Sequence, residues 1–349
     1  SCSCVSISIG GNQIFTVNND IDALGDLYLQ ISTTGASGIS FDLKAFDLLN
    51  CIKRVEFMVG TQVWQTLEPN DITALNMTEM SEDVFESFFL AASGGFGTNG
   101  TRNTAKIADT TYTRVSSDVS CFLRLPALCR SLGPKFAKFT DIKEHCYLIA
   151  GAPHQSVKIR VYMATSLPNS NLNNFTLRLF GQCVVMCNEE REQMKSMETG
   201  IPKRLKMTQN HTSTFTPSGG IPDGKKIIQC ALDLDHFSLF TSHIILVVTP
   251  TTTGVNSSIK DVELKLNSSS FSGTLKGGLL TGPVCDTLSL YSNSVFMAGA
   301  NYANNYYVFP LASKAYGGSA VPLNRFDNIR MDVEVVLENT DLRRTTNEL

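Results

Sequence analysis

The chain holds 349 residues, 42% of them hydrophobic and 17% charged, with a formal net charge of -3. So few charges, so evenly balanced, exclude a disordered chain and a nucleic-acid coat built on clustered Lys and Arg. The strongest apolar run, 244–248, falls far short of the roughly 20 residues that a helical membrane span needs.

Length alone allows about two domains, each large enough for its own core. The ten cysteines (Cys2, Cys4, Cys51, Cys121, Cys129, Cys146, Cys183, Cys187, Cys230 and Cys285) are scattered through apolar stretches. A chain of this length folds without a disulfide framework, so most of them read as buried free thiols made in a reducing compartment. No basic stretch followed by an apolar one opens the sequence as a signal peptide would.

In chain order, the dominant period is two. Short apolar or alternating runs at 5–9 and 27–32 come first. In 51–60, Cys51, Val55, Phe57 and Val59 share one face, while Arg54 and Glu56 point the other way. Residues 71–92 break the pattern: Ile72, Leu75, Met80, Val84, Phe85, Phe88 and Phe89 recur at roughly helical spacing, with Asn70 or Asp71 as the N-cap. Strand patterns resume at 119–125, at 157–163, where Val157, Ile159, Val161 and Met163 alternate with polar residues, and at 175–186. A short charged helix is expected over 188–197, capped by Asn188, with Glu189, Glu190 and Glu192 at the positive end of its dipole. Further strands follow at 227–234, 244–249, 262–266 and 306–311. The clearest comes last: Ile329, Met331, Val333, Val335 and Leu337 alternate with Arg330, Asp332, Glu334 and Glu338, broken only at Val336. Strict alternation marks a strand with one face on a core and the other toward water. Many short strands without regular helices between them predict an all-β chain, a β-sandwich or barrel rather than a parallel α/β sheet. The expected boundary falls at the charged helix, giving domains 1–190 and 191–349.

No enzyme signature emerges. His145, His154, His211, His236 and His243 form no HxH or HExxH pattern, and Cys2, Cys4, Cys183 and Cys187 lack zinc-ribbon spacing. There is no GxSxG elbow and no GxxxxGK[ST] loop, and the Gly94–Gly97 stretch reads as a plain loop. Asp233 and Asp235 share a strand face with no partner acid opposite. No catalytic, cofactor-binding or metal residue is therefore assigned, and no cofactor is expected. Six Asn-X-Ser/Thr sequons (Asn76, Asn99, Asn174, Asn210, Asn256 and Asn267) are what a Ser/Thr/Asn-rich chain produces by chance.

Several segments, in order, resemble the double jelly-roll major capsid proteins of eukaryotic double-stranded DNA viruses, the group of nucleocytoplasmic large DNA viruses, Polinton-like viruses and virophages. The segment 21–32 (IDALGDLYLQIS) looks like the entry into the first roll, and 52–63 (IKRVEFMVGTQV) like a strand pair about a Gly turn. The stretch 123–132 (LRLPALCRSL) followed by 146–163 resembles a late first-roll segment, and 186–194 (MCNEEREQM) the acidic helix between rolls. The closing stretch 306–330 (YYVFPLASKAYGGSAVPLNRFDNIR) is similar to an aromatic strand, a Pro- and Gly-containing loop and an N-x-S-R-I-D signature. Asn324, Arg325, Phe326, Asp327 and Asn328 stand at that signature, without its Ser. Their expected role is structural, with Arg325 and Asp327 placed to pair with each other or to hold the preceding Gly-Gly loop.

The resemblance implies two tandem eight-stranded jelly rolls with short helices in the connections. It implies a homotrimer that forms a pseudo-hexagonal capsomer of an icosahedral shell. Its partners would be neighbouring capsomers, minor capsid or penton proteins and an internal membrane, without direct contact to nucleic acid. The place would be the virion, assembled in host cytoplasm or nucleus. The loops 98–113 and 208–224 would sit at roll ends. Two rival readings are a transient scaffold of the same fold that shapes a membrane, and a carbohydrate-binding attachment protein.

Overall fold

The structure, a computed structural model, describes residues 5–17, 20–34, 41–43, 47–80, 112–114, 118–126, 147–148, 156–167, 175–192, 208–216, 225–250, 255–281, 283–288, 290, 305–313 and 320–339. The chain divides into two compact units, Ser1–Glu79 with Asp83–Thr208, and Met80–Glu82 with Gln209–Leu349.

The first unit carries eight principal strands: β1 (Val5–Ile7), β2 (Asn12–Thr16), β3 (Ala23–Thr34), β4 (Ile52–Val59), β5 (Gln62–Leu67), β6 (Asp118–Leu125), β7 (Val157–Met163) and β8 (Phe175–Val184). One sheet runs β1-β8-β3-β6, with the two-residue strand Tyr147–Leu148 also paired to β3, and the other runs β2-β7-β4-β5. Every pairing is antiparallel. This 1-8-3-6 and 2-7-4-5 order is jelly-roll topology: the chain crosses between two sheets so that first and last strands lie side by side. Alternation sets the inward faces. Leu29, Ile31, Leu123, Leu125, Leu177 and Leu179 are buried in one sheet, and Phe15, Val55, Phe57, Ile159 and Val161 in the other. The β4–β5 hairpin turns at Gly60, whose φ of 63° is the left-handed value that favours a residue without Cβ.

The predicted helix exists but starts earlier. Helix α1 spans Pro69–Glu79, with Pro at its first position and the Asp71 carboxylate accepting from the Glu68 N–H at 2.7 Å, so Glu68 takes the cap position and Asp71 reaches back to it. Residues 72–78 are all buried, and Thr73 and Thr78 return their hydroxyl protons to carbonyls of their own helix. The expected continuation over 81–92 lies outside the described residues.

The second unit contributes β9 (Lys225–Asp233), β10 (His243–Val248), β11 (Val255–Leu266), β12 (Asn305–Pro310) and β13 (Ile329–Asn339). Its larger sheet runs β9-β13-β11, extended beyond β11 by the short strands Ser269–Ser270 and Leu275–Lys276, and β10 pairs with β12. The triplet β9-β13-β11 repeats β1-β8-β3, and β10-β12 repeats β2-β7, in the order of a second jelly roll. Leu264, Val262, Met331, Ile329, Phe309 and Leu323 anchor its core.

Candidate functional site

The signature residues sit at the entry to β13. Val321–Pro322 pairs with Phe240–Thr241, and a single 3-10 turn over Leu323–Arg325 follows, closed by the Phe326 N–H on the Leu323 carbonyl at 3.1 Å. Asn324, Arg325, Asp327 and Asn328 are exposed, whereas Phe326 is partly buried against the core of the second roll. The expected Arg325–Asp327 ion pair is not formed among the described residues, and the Gly-Gly loop lies outside them. The segment is held by its backbone instead. The Asn267 amide oxygen accepts from the N–H groups of Asp327 (2.9 Å) and Asn328 (3.2 Å), and the Asn267 N–H donates to the Asn328 carbonyl at 2.8 Å. Asn267 and Ser268, at φ values of 49° and 66°, form the two-residue turn after β11, a conformation Asn tolerates well. The Asp235 carboxylate accepts from the Ile329 N–H, and the Asp233 carboxylate from the Asp235 N–H. The paired acids seen in the sequence thus tie a turn to a strand.

A second fixed point lies where the first roll ends. Asp22, before β3, accepts from the Met186 N–H at 2.7 Å and from both arms of the Arg191 guanidinium at 2.7 and 2.9 Å. Hydrogen bonding and then the charge of Asp22 hold the Arg191 pKa above its ordinary value. The helix begins at residue 188, as expected, but its cap differs. Asn188 is already helical, and Glu190 reaches back to the Cys187 N–H at 3.1 Å.

The outward faces of the two large sheets differ in chemistry. On the first roll, Tyr28, Phe122 and Phe180 form an aromatic group: Phe122 and Phe180 approach across β3 to 5.6 Å between ring centroids, and Arg178 lies 6.0 Å from the Phe180 ring. Phe122 is 48% exposed. On the second roll the corresponding face is a lattice of ion pairs: Lys225–Glu338, Lys260–Glu334, Lys265–Asp332, Lys276–Asp261 and Arg330–Asp332, at 2.6 to 3.1 Å. Such exposed pairs contribute little singly and more as a network. The hydrogen bond from Lys265, against a smaller opposing effect of burial, holds the Asp332 carboxyl below its usual range, and Lys276 does the same for Asp261. A depressed carboxyl pKa adds stability that is complete above the unfolded value and lost as pH falls through the folded one. The thermal midpoint is therefore expected to drop as pH falls through and below the ordinary carboxylate range. Asp332→Asn should flatten that dependence, as read by calorimetry across a pH series.

Among the described residues no three His, Cys, Asp or Glu side chains gather as metal ligands. His211 stacks on His236 at 4.9 Å, His236 meets the edge of Phe237, and His243 bonds Ser242. Cys183 and Cys187 are exposed thiols, and Cys51, Cys230 and Cys285 are buried ones. His145, His154, Cys2, Cys4, Cys121, Cys129, Cys146 and Gly94–Gly97 lie outside the described side chains. Of the sequons, Asn76 is fully buried with its amide bonded to Arg124, so a glycan has no room there. No helix among the described residues is long and apolar enough to cross a membrane.

No protein-family model and no curated protein matches the sequence. Solved structures do match the fold. The capsid of PBCV-1 superposes with a TM-score of 0.62 at 11% identity, covering 96% of this chain and 84% of that one. The Faustovirus major capsid protein gives 0.54 at 7% identity, covering 97% and 90%. The fold is that of the double jelly-roll capsid proteins. This double jelly roll spans nearly the whole chain at an identity too low for sequence comparison to detect. The Asp22–Arg191 and Asn267 anchors have no signal in the sequence. In both, one side chain meets a partner more than 50 residues away, with no local pattern to announce it.

Proposed function

We propose that this double jelly roll is a viral major capsid protein that acts by self-assembly into homotrimeric, pseudo-hexagonal capsomers of an icosahedral shell. The observation that carries this reading is the tandem of two rolls with matching strand order in one chain. Three such chains about a threefold axis present six similar lobes, so cyclic symmetry alone yields a near-hexagonal tile. Closed rolls leave few free strand edges to pair at random. The low charge content and the exposed aromatic group on the first roll suit a chain that buries large surfaces against copies of itself. Its partners would be neighbouring capsomers, minor capsid or penton proteins and an internal membrane, and its place the virion. Chemistry would form no part of the role. Neither rival, scaffold or lectin, has an observation in its favour.

The test is the mass of the purified chain in solution. The expected species is a homotrimer of three 38.1 kDa chains that persists on dilution. A stable monomer that binds an oligosaccharide would overturn the reading.

A further inference from the structure

The outward face of the second sheet of the first roll is cationic. Arg54 pairs across the strands with Tyr162, Arg160 with both Glu56 and Ile14, and Lys158 with Met58. Two cations, Arg54 and Arg160, therefore flank one carboxylate, with Lys158 two residues along β7 on the same face. Glu56 is nearly buried and saturated: Arg54 lies 2.9 Å from it, Arg160 3.6 Å, and the Tyr162 hydroxyl donates to it at 3.3 Å. The Tyr162 ring lies beneath both guanidiniums, 4.0 Å from that of Arg54 and 5.9 Å from that of Arg160. The Arg160 Nε is buried and has no acceptor among the described residues. That atom is out of a partner's reach, but the partly exposed side chains of Arg54, Lys158 and Arg160 leave a net positive face that suits an incoming carboxylate. Exposed Ile14 and Val63 flank the cluster, each more than a third accessible, and give it an apolar border.

The complementary surface is the start of the helix after β8. Its one described cation, Arg191, is bound by Asp22. Glu189, Glu190 and Glu192 are exposed beside Val185, which is 69% exposed. The helix thus offers carboxylates and one large apolar side chain, matching in sign and character the cations and apolar rim of the sheet.

We infer that the Arg54–Lys158–Arg160 face of one chain receives the Glu189–Glu192 helix of a second copy. Two different patches meet, so the contact is head-to-tail, the kind that closes into a ring when the rotation allows. It rests on the capsomer reading and specifies one contact within it. Opposite charges brought together this way fix register and speed encounter more than they add affinity, so the contact should be sensitive to salt.

The experiment is a charge exchange on the full chain, read by sedimentation velocity. Glu189→Lys with Glu192→Lys, at exposed positions, should weaken the oligomer by about tenfold, and Lys158→Glu with Arg160→Glu should do the same. Combining all four should restore association to within roughly threefold of wild type. A neutral pair, Lys158→Gln with Arg160→Gln, and the thermal midpoint of each variant separate lost contact from lost folding. A wild-type trimer that no reversal weakens, or reversals that do not rescue each other, would overturn this contact and leave the capsomer standing. The first result would assign the cationic face to a different acidic partner. A wild-type monomer at every concentration would overturn both.

Discussion

Arg124→Met is expected to destabilise the first roll by about 3–5 kcal/mol, the cost of stranding buried carboxylates without their cation. Arg124 stands on the outward side of β6, opposite Tyr28 in register, yet its side chain is only 2% exposed. Its guanidinium donates to Asp26 at 3.2 Å, to the Asn76 amide oxygen at 2.7 Å and to Glu79 at 3.2 Å. The Asn76 amide donates back to the Arg124 carbonyl at 3.1 Å. One side chain thereby joins β6, the start of β3 and the last turn of α1. Burial works against its charge, and the charges of Glu79 and Asp26, then their hydrogen bonds, overcome that and hold its pKa above the ordinary value. Methionine keeps the length and removes the charge, leaving Glu79 and Asp26 facing each other. Urea unfolding should show a lower midpoint at unchanged slope. Adding Glu79→Met to Arg124→Met should recover part of the loss, because the unpaired acid is then gone too. A loss below about 0.5 kcal/mol, the size of a surface substitution, would mean that the network does not hold the helix.

The second large effect is expected at Gly277. It opens the 3-10 turn over Gly277–Leu279, packed against β11 where that strand bulges between Ile259 and Asp261. A Cβ at Gly277 would sit 1.9 Å from the Ile259 carbonyl oxygen and 2.8 Å from its carbon, a clash with backbone that no rotamer relieves. The turn would have to leave the strand. It would take along the Leu280 carbonyl, which accepts from the Val308 N–H at 2.8 Å, and would disturb the Ile259 N–H, which donates to the Tyr307 hydroxyl at 3.0 Å. Gly277→Ala should cost roughly 2–4 kcal/mol. Gly278 is the internal control: its Cβ would meet nothing within 4 Å, so Gly278→Ala should leave the unfolding midpoint nearly unchanged. Equal effects at the two positions would contradict the packing described.

What could be read from the sequence follows from how each element is buried. Strand β13 was legible because one face lies on a core and the other on the ion-pair lattice, so Ile329, Met331, Val333 and Val335 alternate with charges. Strand β2 was not: five residues with Phe15 as the single buried side chain give no period to count. Helix α1 was placed two residues late, since seven consecutive buried positions blur its facing and the cap depends on Asp71 reaching backward. Nothing in the pattern of 119–125 marks Arg124. Its partners on α1 lie 45 and 48 residues earlier, beyond any local pattern. At the closing signature the expected role fell to the side chains of Arg325 and Asp327, pairing or holding a Gly-Gly loop that lies outside the described residues, whereas the contacts described there are made by main-chain N–H groups.

That last arrangement has an effect on which substitutions the loop accepts. Because Asn267 takes hold of the amide protons of Asp327 and Asn328, any residue but proline at 327 or 328 presents the same handle. The spelling of those exposed positions is therefore free to drift while the grip persists, and identity matters at the grasping residues Asn267 and Asp235, at the inward ring of Phe326 and at the buried Ile329.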